Sequence, residues 1–324
     1  MKNNASLKEL AGHLKAAESI LIFIHTNTDG DALGAAAALC RALRNEGKTA
    51  WILIDEEIPH YIDFMDTEFC TADADCLISP DVCICVDCGE YGRFPAFADK
   101  YDEGRLRLCV DHHATGSGFG DYYYIDESAA ATCQIVYRLL REMDVYMDVK
   151  IAESLYTGLS TDTGSFQFSN TTAETHLVAA ELLRAGIDHT AINVRLYQTV
   201  PVKKIKLQTM ILQRAEFLHD GKVAVSCVTG EMLQQASAIL DDAEGSIDML
   251  RNIEGVEMAV FLKEKGDCVK VSMRAKSYAN VDKIAASFGG GGHKKAAGCT
   301  LHMDMNEALT ALRKEIDDYW EKLA

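Results

Sequence analysis

A histidine and two aspartates lie within seven residues of one another, directly after an apolar segment. His25, Asp29 and Asp31 belong to the stretch HTNTDGDALG, and residues 19–24 before it read SILIFI. A tight loop centred on Gly30 would let both carboxylates and the imidazole face one point, whereas on one helix Asp29 and Asp31 would point about 200° apart. The stretch is also compatible with an ordinary turn and helix N-cap, because Asp is favourable in both.

Further acidic and histidine residues follow other apolar segments. Asp87 closes VCICVD, the triplet Asp111, His112 and His113 closes LRLCVDHH, and Asp162 follows a helical pattern. Buried carboxylates are costly unless positive charge accompanies them, and Lys and Arg are scarce in these segments. Bound divalent cations are the natural counter-charge. Carboxylate and imidazole ligands favour Mn²⁺ or a similar six-coordinate ion over structural zinc.

The number of carboxylates suggests two ions. Asp29, Asp31, Asp87 and Asp162 together carry a charge of −4, which two divalent cations cancel. Two such ions at about 3.5–4 Å stabilise the attacking and leaving oxygens of an in-line displacement at phosphorus. The pattern therefore predicts hydrolysis of a phosphoester.

The first half of the chain alternates apolar segments with helical patterns. Continuous apolar runs at 19–25, 49–55, 82–88 and 106–113 predict strands covered on both faces, as in a parallel sheet with helices on either side. Helices are predicted at 33–45, 129–143, 149–159, 173–185 and 202–217. Ligands bind at the carboxyl ends of the strands in such a fold, which places the aspartates and histidines on one rim.

The pattern of elements resets after residue 217. Strands are predicted at 222–228, 256–264 and 268–276, and helices at 245–253, 281–288 and 305–323. We therefore predict an α/β fold class with an N-terminal, mainly parallel sheet domain at 1–190. A helical linker at 191–217 would join it to a smaller α/β C-terminal domain at 218–324.

Composition limits the partners and the compartment. The 324 residues carry a formal net charge of −17, which opposes binding of long nucleic acids but not of a small anionic substrate. No signal sequence and no apolar run of about 18 residues is present, so we expect no membrane association. Eleven cysteines, mostly in apolar segments, are typical of a cytoplasmic protein. Cys85 and Cys88 form one C-x-x-C pair, and without a second pair a zinc or redox site is the weaker interpretation.

At these motifs the sequence resembles the DHH phosphoesterases, a family named for the triplet seen here at residues 111–113. HTNTDGDALG, VDCGE, VDHH and STDTGSFQFSNTT look like four motifs of that family, in the same order. The segment FGGGGHKKAAG at 288–298 looks like the signature of the DHH-associated C-terminal domain in the oligoribonuclease and pAp-phosphatase branch. The resemblance covers nearly the whole chain.

The resemblance implies a role for each residue of the rim. One metal ion would be bound by His25, Asp29 and Asp87, and a second by Asp31, Asp87, His112 and Asp162, with Asp87 bridging the two. The catalytic candidates Asp111 and His113 would orient a ligand or contact the scissile phosphate or leaving oxygen. For Asp111, packing inside the rim is an equal alternative.

The glycine run predicts an anion-binding segment. Backbone N–H groups can approach a phosphate closely where side chains are absent, although a flexible linker is the alternative. The resemblance implies that Arg274 helps to bind substrate. The other expected substrate-binding residues are Gly289, Gly290, Gly291, Gly292 and His293.

Three positions depart from the pattern of many family members. Thr28 replaces a proline and Ala35 replaces a serine, so we expect altered stiffness of the loop and altered contacts around the ligands. Ser165 replaces an arginine, which removes one contact to phosphate and weakens any transfer of substrate preference.

The expected activity is hydrolysis of short oligoribonucleotides (nano-RNA) and 3′-phosphoadenosine 5′-phosphate (pAp) by a metal-activated hydroxide, with two divalent ions expected to be Mn²⁺. Cyclic di-AMP or linear pApA phosphodiesterase activity is the alternative within the same class. A pyrophosphatase would lack the GGGGH-type second domain. The alternative of another functional class is a non-catalytic nucleotide-binding module, in which some of the metal-binding residues would be absent from the sequence. A homodimer is the assembly that we consider.

Overall fold

The computed structural model describes residues 3–113, 116 and 118–323. The chain forms two compact units, one extending through Thr199 and the other starting at Val200. The first unit contains α1 (Leu7–Ala16), β1 (Ser19–Phe23), α2 (Gly30–Asn45), β2 (Thr49–Leu53), β3 (Cys70–Thr71), β4 (Val82–Val86), α3 (Ala98–Asp102), β5 (Leu106–Asp111), β6 (Tyr122–Ile125), α4 (Thr132–Glu142), α5 (Val149–Asp162), α6 (Ala173–Arg184) and α7 (His189–Asn193). A π-helical turn, Val194–Gln198, follows α7.

The second unit continues the same chain order. It contains α8 (Val202–Gln213), β7 (Glu216–Leu218), β8 (Val223–Val228), α9 (Gly230–Ala236), α10 (Ser246–Arg251), β9 (Met258–Lys265), β10 (Cys268–Ala275), α11 (Val281–Ser287), β11 (Gly291–His293), β12 (Ala296–Leu301) and α12 (Met305–Glu321).

The first sheet is parallel throughout and has the strand order β3-β2-β1-β4-β5-β6. The order reverses between β1 and β4, because the chain builds outward from β1 to β2 and β3 before returning to β4. In open α/β sheets, ligands bind outside the carboxyl ends of the strands at such a switch point. His25 and Asp87 follow the two strands that flank it.

Both faces of this sheet are covered, which explains the continuous apolar runs. Ile20 and Ile22 of β1 belong to the large core formed with α2, α4 and α5. Leu21 and Phe23 pack on the other side with Phe94 and with Tyr101 of α3. Because alternate residues enter two different cores, the strand has no polar face. The predicted fold class is confirmed.

Several elements differ from the sequence prediction. The strands β3 and β6 were not predicted, since β3 has only two residues and the aromatic run of β6 follows a glycine-rich segment. The helix predicted at 202–217 ends at Gln213, and Glu216–Leu218 instead pairs antiparallel with β8. The four strands predicted in the first sheet each end two residues earlier than expected, because the chain leaves the sheet to form the loops at its carboxyl edge.

The second sheet is mixed, with the order β11-β12-β10-β9-β8-β7, and β8 and β9 are its parallel pair. The helices α11 and α12 cover one face. On the other face, α8, α9 and α10 pack over β8 and β9. Leu207 and Ile211 of α8 are fully buried in this second unit, in a segment assigned to a linker from the sequence. The domain boundaries at 190 and 217 stay a prediction.

Of the helices in the described part of the chain, none has both the length and the apolar content needed to span a bilayer.

The helices α2 and α5 approach so closely that glycine is required at their contact. A Cβ atom at Gly158 would lie 2.3 Å from the Cys133 Sγ atom and 2.9 Å from the Asp31 Cα atom. A Cβ atom at Gly34 would lie 2.5 Å from the carbonyl oxygen of Ser154. The contact brings Asp31, near the start of α2, close to the carboxyl end of α5.

Substituting Gly158 by Ala is expected to lower the free energy of unfolding by about 1–3 kcal/mol, because the added methyl group overpacks this contact. The matched change Gly12→Ala in α1, where a Cβ atom meets nothing within 4 Å, should raise it by roughly 0.5–1 kcal/mol. Urea denaturation of both variants measures the two values. An unchanged stability of Gly158→Ala would contradict the close approach.

Candidate metal centre

The residues predicted as metal ligands meet at the carboxyl edge of the first sheet. His25, Asp87 and His112 follow β1, β4 and β5. Asp29 is the N-cap of α2, Asp31 lies in its first turn, and Asp162 is the last residue of α5. They form groups of potential ligand atoms within 4.8 Å of one another, and the groups found among the described residues contain no cysteine.

The first group consists of His25, Asp29 and Asp87. The His25 Nε2 atom lies 3.4 Å from Asp87 Oδ2 and 3.7 Å from Asp29 Oδ2. The His25 Nδ1 atom lies 2.9 Å from the carbonyl oxygen of Thr26, which accepts a hydrogen bond from the Nδ1–H group. In the neutral ring this hydrogen bond favours the tautomer with Nδ1–H, in which Nε2 faces the two carboxylates and could bind a metal.

The second group consists of Asp31, His112 and Asp162. The His112 Nε2 atom lies 3.5 Å from Asp162 Oδ2, 3.8 Å from Asp31 Oδ2 and 3.7 Å from Asp87 Oδ1. The two oxygens of Asp87 therefore face different groups, Oδ2 toward His25 and Oδ1 toward His112. This arrangement suits a carboxylate that bridges two cations.

The loop position predicted for Asp31 is wrong, because Asp31 lies within α2. Asp29 is the N-cap, and its Oδ1 atom accepts hydrogen bonds from the backbone N–H groups of Asp31 and Ala32. Its Oδ2 atom remains directed toward His25. Because the N-cap residue has extended rather than helical dihedrals, the 200° separation expected on a helix does not apply. The N-cap and ligand interpretations are therefore compatible.

The amino end of α4 holds the carboxylate of Asp31, a support that the sequence analysis missed. The N-cap residue Ala131 offers no side-chain cap to this helix. Instead, the backbone N–H groups of Thr132 and Cys133 donate to the Asp31 oxygens at 2.6 and 2.8 Å. The positive end of the helix dipole favours this charge. The sequence does hold one signal for this contact: the helix α4 begins after an alanine, which cannot cap it, so its free N–H groups need an acceptor from elsewhere in the chain.

Thr132 also contacts the bridging candidate. Its Oγ1 hydroxyl donates to Asp87 Oδ1 at 2.8 Å, and both residues are buried. Asp87 itself has a φ of 57°, a left-handed conformation that is unfavourable for a non-glycine residue. Backbone strain of this kind is often retained at functional sites. Thr132 thus fixes the rotamer of a side chain whose backbone is already constrained.

Glu56 fixes the loop between β1 and α2. Its carboxylate accepts hydrogen bonds from the Thr28 backbone N–H and hydroxyl groups at 2.5 and 2.7 Å and from the Asn27 N–H group at 3.1 Å. A proline at position 28 could donate neither bond. Having threonine instead of proline at position 28 therefore lets Glu56 anchor this loop through hydrogen bonds.

Asp111 and His113 form a hydrogen-bonded pair at the edge of the site, and His113 also belongs to a third group of potential ligand atoms with Asp87 and His112. Asp111 is completely buried, and its Oδ1 atom lies 2.7 Å from the His113 Nδ1 atom. This hydrogen bond raises the pKa of His113 to about 9, although burial opposes the shift. Within the described chain, the Asp111 Oδ2 atom has no hydrogen-bond partner. Asp111 therefore orients His113, which is 40% exposed.

The electrostatics of the site favour a bound cation. Burial, followed by repulsion from Asp31 and Asp29, raises the pKa of Asp87 well above its ordinary value. The same causes raise the pKa of Asp162 to about 8. Throughout the described ranges, neither Lys nor Arg forms an ion pair with these carboxylates.

The donor set fits divalent cations. The imidazole–carboxylate distances of 3.4–3.8 Å are longer than the usual hydrogen bond but agree with ligands that share one ion. The donors are carboxylate oxygens and neutral imidazole nitrogens, which suit Mn²⁺ and related ions. The residues present therefore fit the metal-binding role predicted from the sequence.

The predicted substrate-binding residues lie in the second unit. Arg274 of β10 pairs with Ala296 of β12, which pairs with His293 of β11, so the three residues form one row across the sheet. The glycine run is only partly a loop, because Gly291 and Gly292 belong to β11. A Cβ atom at Gly290 would lie 2.2 Å from the carbonyl oxygen of Gly298, so the backbone packing there admits glycine alone.

Comparison with known protein families gives two matches. Residues 19–159 match the N-terminal domain of the DHH family. Residues 220–322 match the DHHA1 domain. The first match contains His25, Asp29, Asp31, Asp87 and His112, and the second contains Arg274 and the glycine run.

Three known proteins resemble the chain over most of its length. A relative from Thermus thermophilus, named bifunctional oligoribonuclease and PAP phosphatase NrnA, is 34% identical, covering 96% of this chain and 94% of the relative. The crystal structure of an exopolyphosphatase-related protein from Bacteroides fragilis has a TM-score of 0.89 at 25% identity, covering 97% and 96%. RecJ from Thermus thermophilus, in complex with Mn²⁺, has a TM-score of 0.56 at 15% identity, covering 98% of this chain and 55% of RecJ. The RecJ match shows a shared fold.

Replacing Thr132 by Val should weaken divalent-metal binding by about 10- to 100-fold, because Asp87 loses the hydrogen bond that orients it. The backbone donors to Asp31 remain in this variant, so the effect isolates Asp87. Titration of the metal-free protein with Mn²⁺ by calorimetry gives the affinity. Thr132→Ser keeps the hydroxyl and should restore it, and equal loss in both variants would contradict the orienting role.

The metal-free protein should lose thermal stability as the pH rises. The raised pKa values of Asp162, about 8, and His113, about 9, mean that the folded state binds more protons than the unfolded chain from about pH 4 to pH 9. Their contribution to stability is therefore complete at low pH and is lost as the pH passes these values. Calorimetry of EDTA-treated protein at pH 5–9 measures the decline.

Added Mn²⁺ should raise the melting temperature more at pH 8 than at pH 5, because at low pH it must displace protons from the ligands. The variant Asp162→Asn should show a weaker pH dependence when metal-free. If the melting temperature in EDTA instead rises with pH, Asp162 and His113 do not hold extra protons in the folded, metal-free protein.

Proposed function

Because the chain belongs to the DHH family and carries a DHHA1 domain, we propose that it is a phosphoesterase that hydrolyses short oligoribonucleotides and pAp. The observation that carries the proposal is the buried carboxylate of Asp87, placed between two groups of imidazole and carboxylate donors. The name of the Thermus thermophilus relative supports the substrate class.

Two divalent cations are part of the proposal, and Mn²⁺ is the preferred ion. His25, Asp29 and Asp87 would hold one, and Asp31, Asp87, His112 and Asp162 would hold the other. When bound, such ions supply Lewis-acid activation of water and neutralise the charge that develops on a phosphoryl group. The chain itself provides the orientation of these ligands, through Thr132, the amino end of α4 and the hydrogen bond from His25 to Thr26.

His113 is the proposed general acid. Asp111 holds its Nδ1 atom, and the raised pKa keeps the imidazole protonated at neutral pH. The His113 Nδ1 atom also lies 3.7 Å from Asp87 Oδ1, which places the ring beside the candidate ligands. The Nε2–H group would donate its proton to the departing ribose oxygen.

The second unit supplies the proposed contacts to substrate phosphates. Arg274 forms no ion pair with a carboxylate in the parts of the chain that are described, and its Nη1 atom donates to the carbonyl oxygen of Met273. A half-buried guanidinium without an acidic partner is suited to bind an anion. The neighbouring glycines leave backbone exposed beside it. His293 lies in the same row of the sheet.

Cyclic di-AMP and linear pApA remain alternative substrates of the same chemistry. A non-catalytic binding module is disfavoured, because the full set of ligand candidates converges. A cytoplasmic location is supported by the eleven free cysteines. A homodimer remains part of the proposal, to be tested by the mass of the protein in solution.

The activity test uses purified protein with Mn²⁺ or EDTA and a panel of two- to five-residue oligoribonucleotides, pAp, pApA, cyclic di-AMP and pyrophosphate. We expect short RNA and pAp to be hydrolysed fastest with Mn²⁺ and no turnover in EDTA. Asp87→Asn should reduce kcat by more than about 100-fold, because both ion sites lose a ligand. The control Asp267→Asn removes an exposed carboxylate far from these residues in sequence and should retain activity. Pyrophosphate as the best substrate would overturn the proposal.

A further inference from the structure

Three lysines lie on one face of the second sheet. Lys263 of β9 is directly opposite Lys270 of β10, and Lys265 lies two residues after Lys263, so its side chain points to the same face. We call Lys263, Lys265 and Lys270 the lysine row. Lys265 and Lys270 are exposed and Lys263 is half-buried.

The lysine row shares its face with the candidate phosphate-binding residues. Side chains alternate along β10, so Lys270, Ser272 and Arg274 point the same way. Ser272 pairs with Gly298, which pairs with Gly291, and Arg274 pairs through Ala296 with His293. Small residues therefore separate the lysine row from Arg274. On β9, Phe261 lies opposite Ser272 and is buried under α8, α9 and α10, so the part of this face left open by those helices is formed by β10, β11 and β12.

The charge on this face is unusual for an acidic chain. Net charge is −17, yet the residues of β9, β10, β11 and β12 that point to this face include no Asp or Glu. The lysine row makes no ion pair with a carboxylate in the described residues. Like charges directly opposite each other, as in Lys263 and Lys270, destabilise a sheet. A bound anion would compensate for this cost.

The lysine row lies too far from Arg274 for one phosphate group to contact both. Lys270 and Arg274 are four residues apart on one strand, which corresponds to about 13 Å. One phosphate group cannot contact both side chains, whereas a strand of several nucleotides can extend along the face. The lysine row should therefore act on chains longer than pAp.

We infer that the lysine row binds backbone phosphates of the oligoribonucleotide substrate, beyond the phosphate held by Arg274. This inference rests on the proposed function and adds a determinant of substrate length. The interaction is electrostatic and independent of base sequence, since lysines contact phosphates as point charges. With three positive charges, the lysine row can bind the phosphates of a few nucleotides but not those of a long polymer.

Binding can be measured without cleavage, by fluorescence anisotropy of a 5′-labelled pentaribonucleotide with the full-length protein in EDTA. The double variant Lys263→Gln and Lys270→Gln should bind about three- to tenfold more weakly at low salt. Its slope of log affinity against log salt should be shallower by about 1.4, from two lost contacts to single-stranded RNA. Affinity for pAp, measured by competition, should change less.

The matched control is Lys314→Gln with Lys322→Gln, which removes the same charge from α12 and its C-cap residue, and α12 covers the opposite face of the sheet. Arg274→Gln should weaken binding of both the pentamer and pAp. An unchanged salt slope in the lysine-row variant, or an equal loss in the control, overturns the inference. If the wild-type protein binds the pentamer but cleaves none of the substrates in Mn²⁺, the proposed function is overturned instead. In that case, weaker binding by the lysine-row variant but not by the control would still support RNA binding by the lysine row.

Discussion

Mutual repulsion among buried carboxylates is the constraint on which the first unit depends. Asp31, Asp87 and Asp111 are almost completely buried, and Asp29 and Asp162 lie beside them. Without counter-charge, burial and this repulsion keep protons on Asp87 and Asp162. The chain relieves the repulsion only partly, through the α4 helix dipole, the Thr132 hydroxyl and three imidazoles. Bound cations would complete the balance, which is the behaviour expected of a metal centre rather than of a structural core.

The fold supplies the proximity that this site requires. Parallel strands bring residues that are separated by tens of positions in sequence to one edge, and the reversal of strand order between β1 and β4 opens a crevice there. The glycine contact between α2 and α5 then brings Asp162 to the same edge as Asp31. Stability and chemistry are therefore coupled, because the helices that form the core also carry the ligands.

The second unit handles charge in the opposite way. The first unit gathers carboxylates with little positive charge, whereas one face of the second sheet collects lysines and an arginine without carboxylates. Both arrangements cost stability in the absence of a ligand, and a bound partner of opposite charge would compensate for each.

The sequence by itself determined the parallel sheet, the six candidate ligands and the order of most elements, because apolar periodicity and residue type are local properties. It did not determine the strands β3 and β6, which are short, or the end of α8, where tertiary pairing with β8 overrides a helical pattern. Only the tertiary structure revealed Thr132 and the α4 amino end as supports for Asp87 and Asp31, residues 45 and 101 positions away. Cross-strand register likewise decided which lysines share a face. Such contacts depend on long-range packing, which no local pattern encodes.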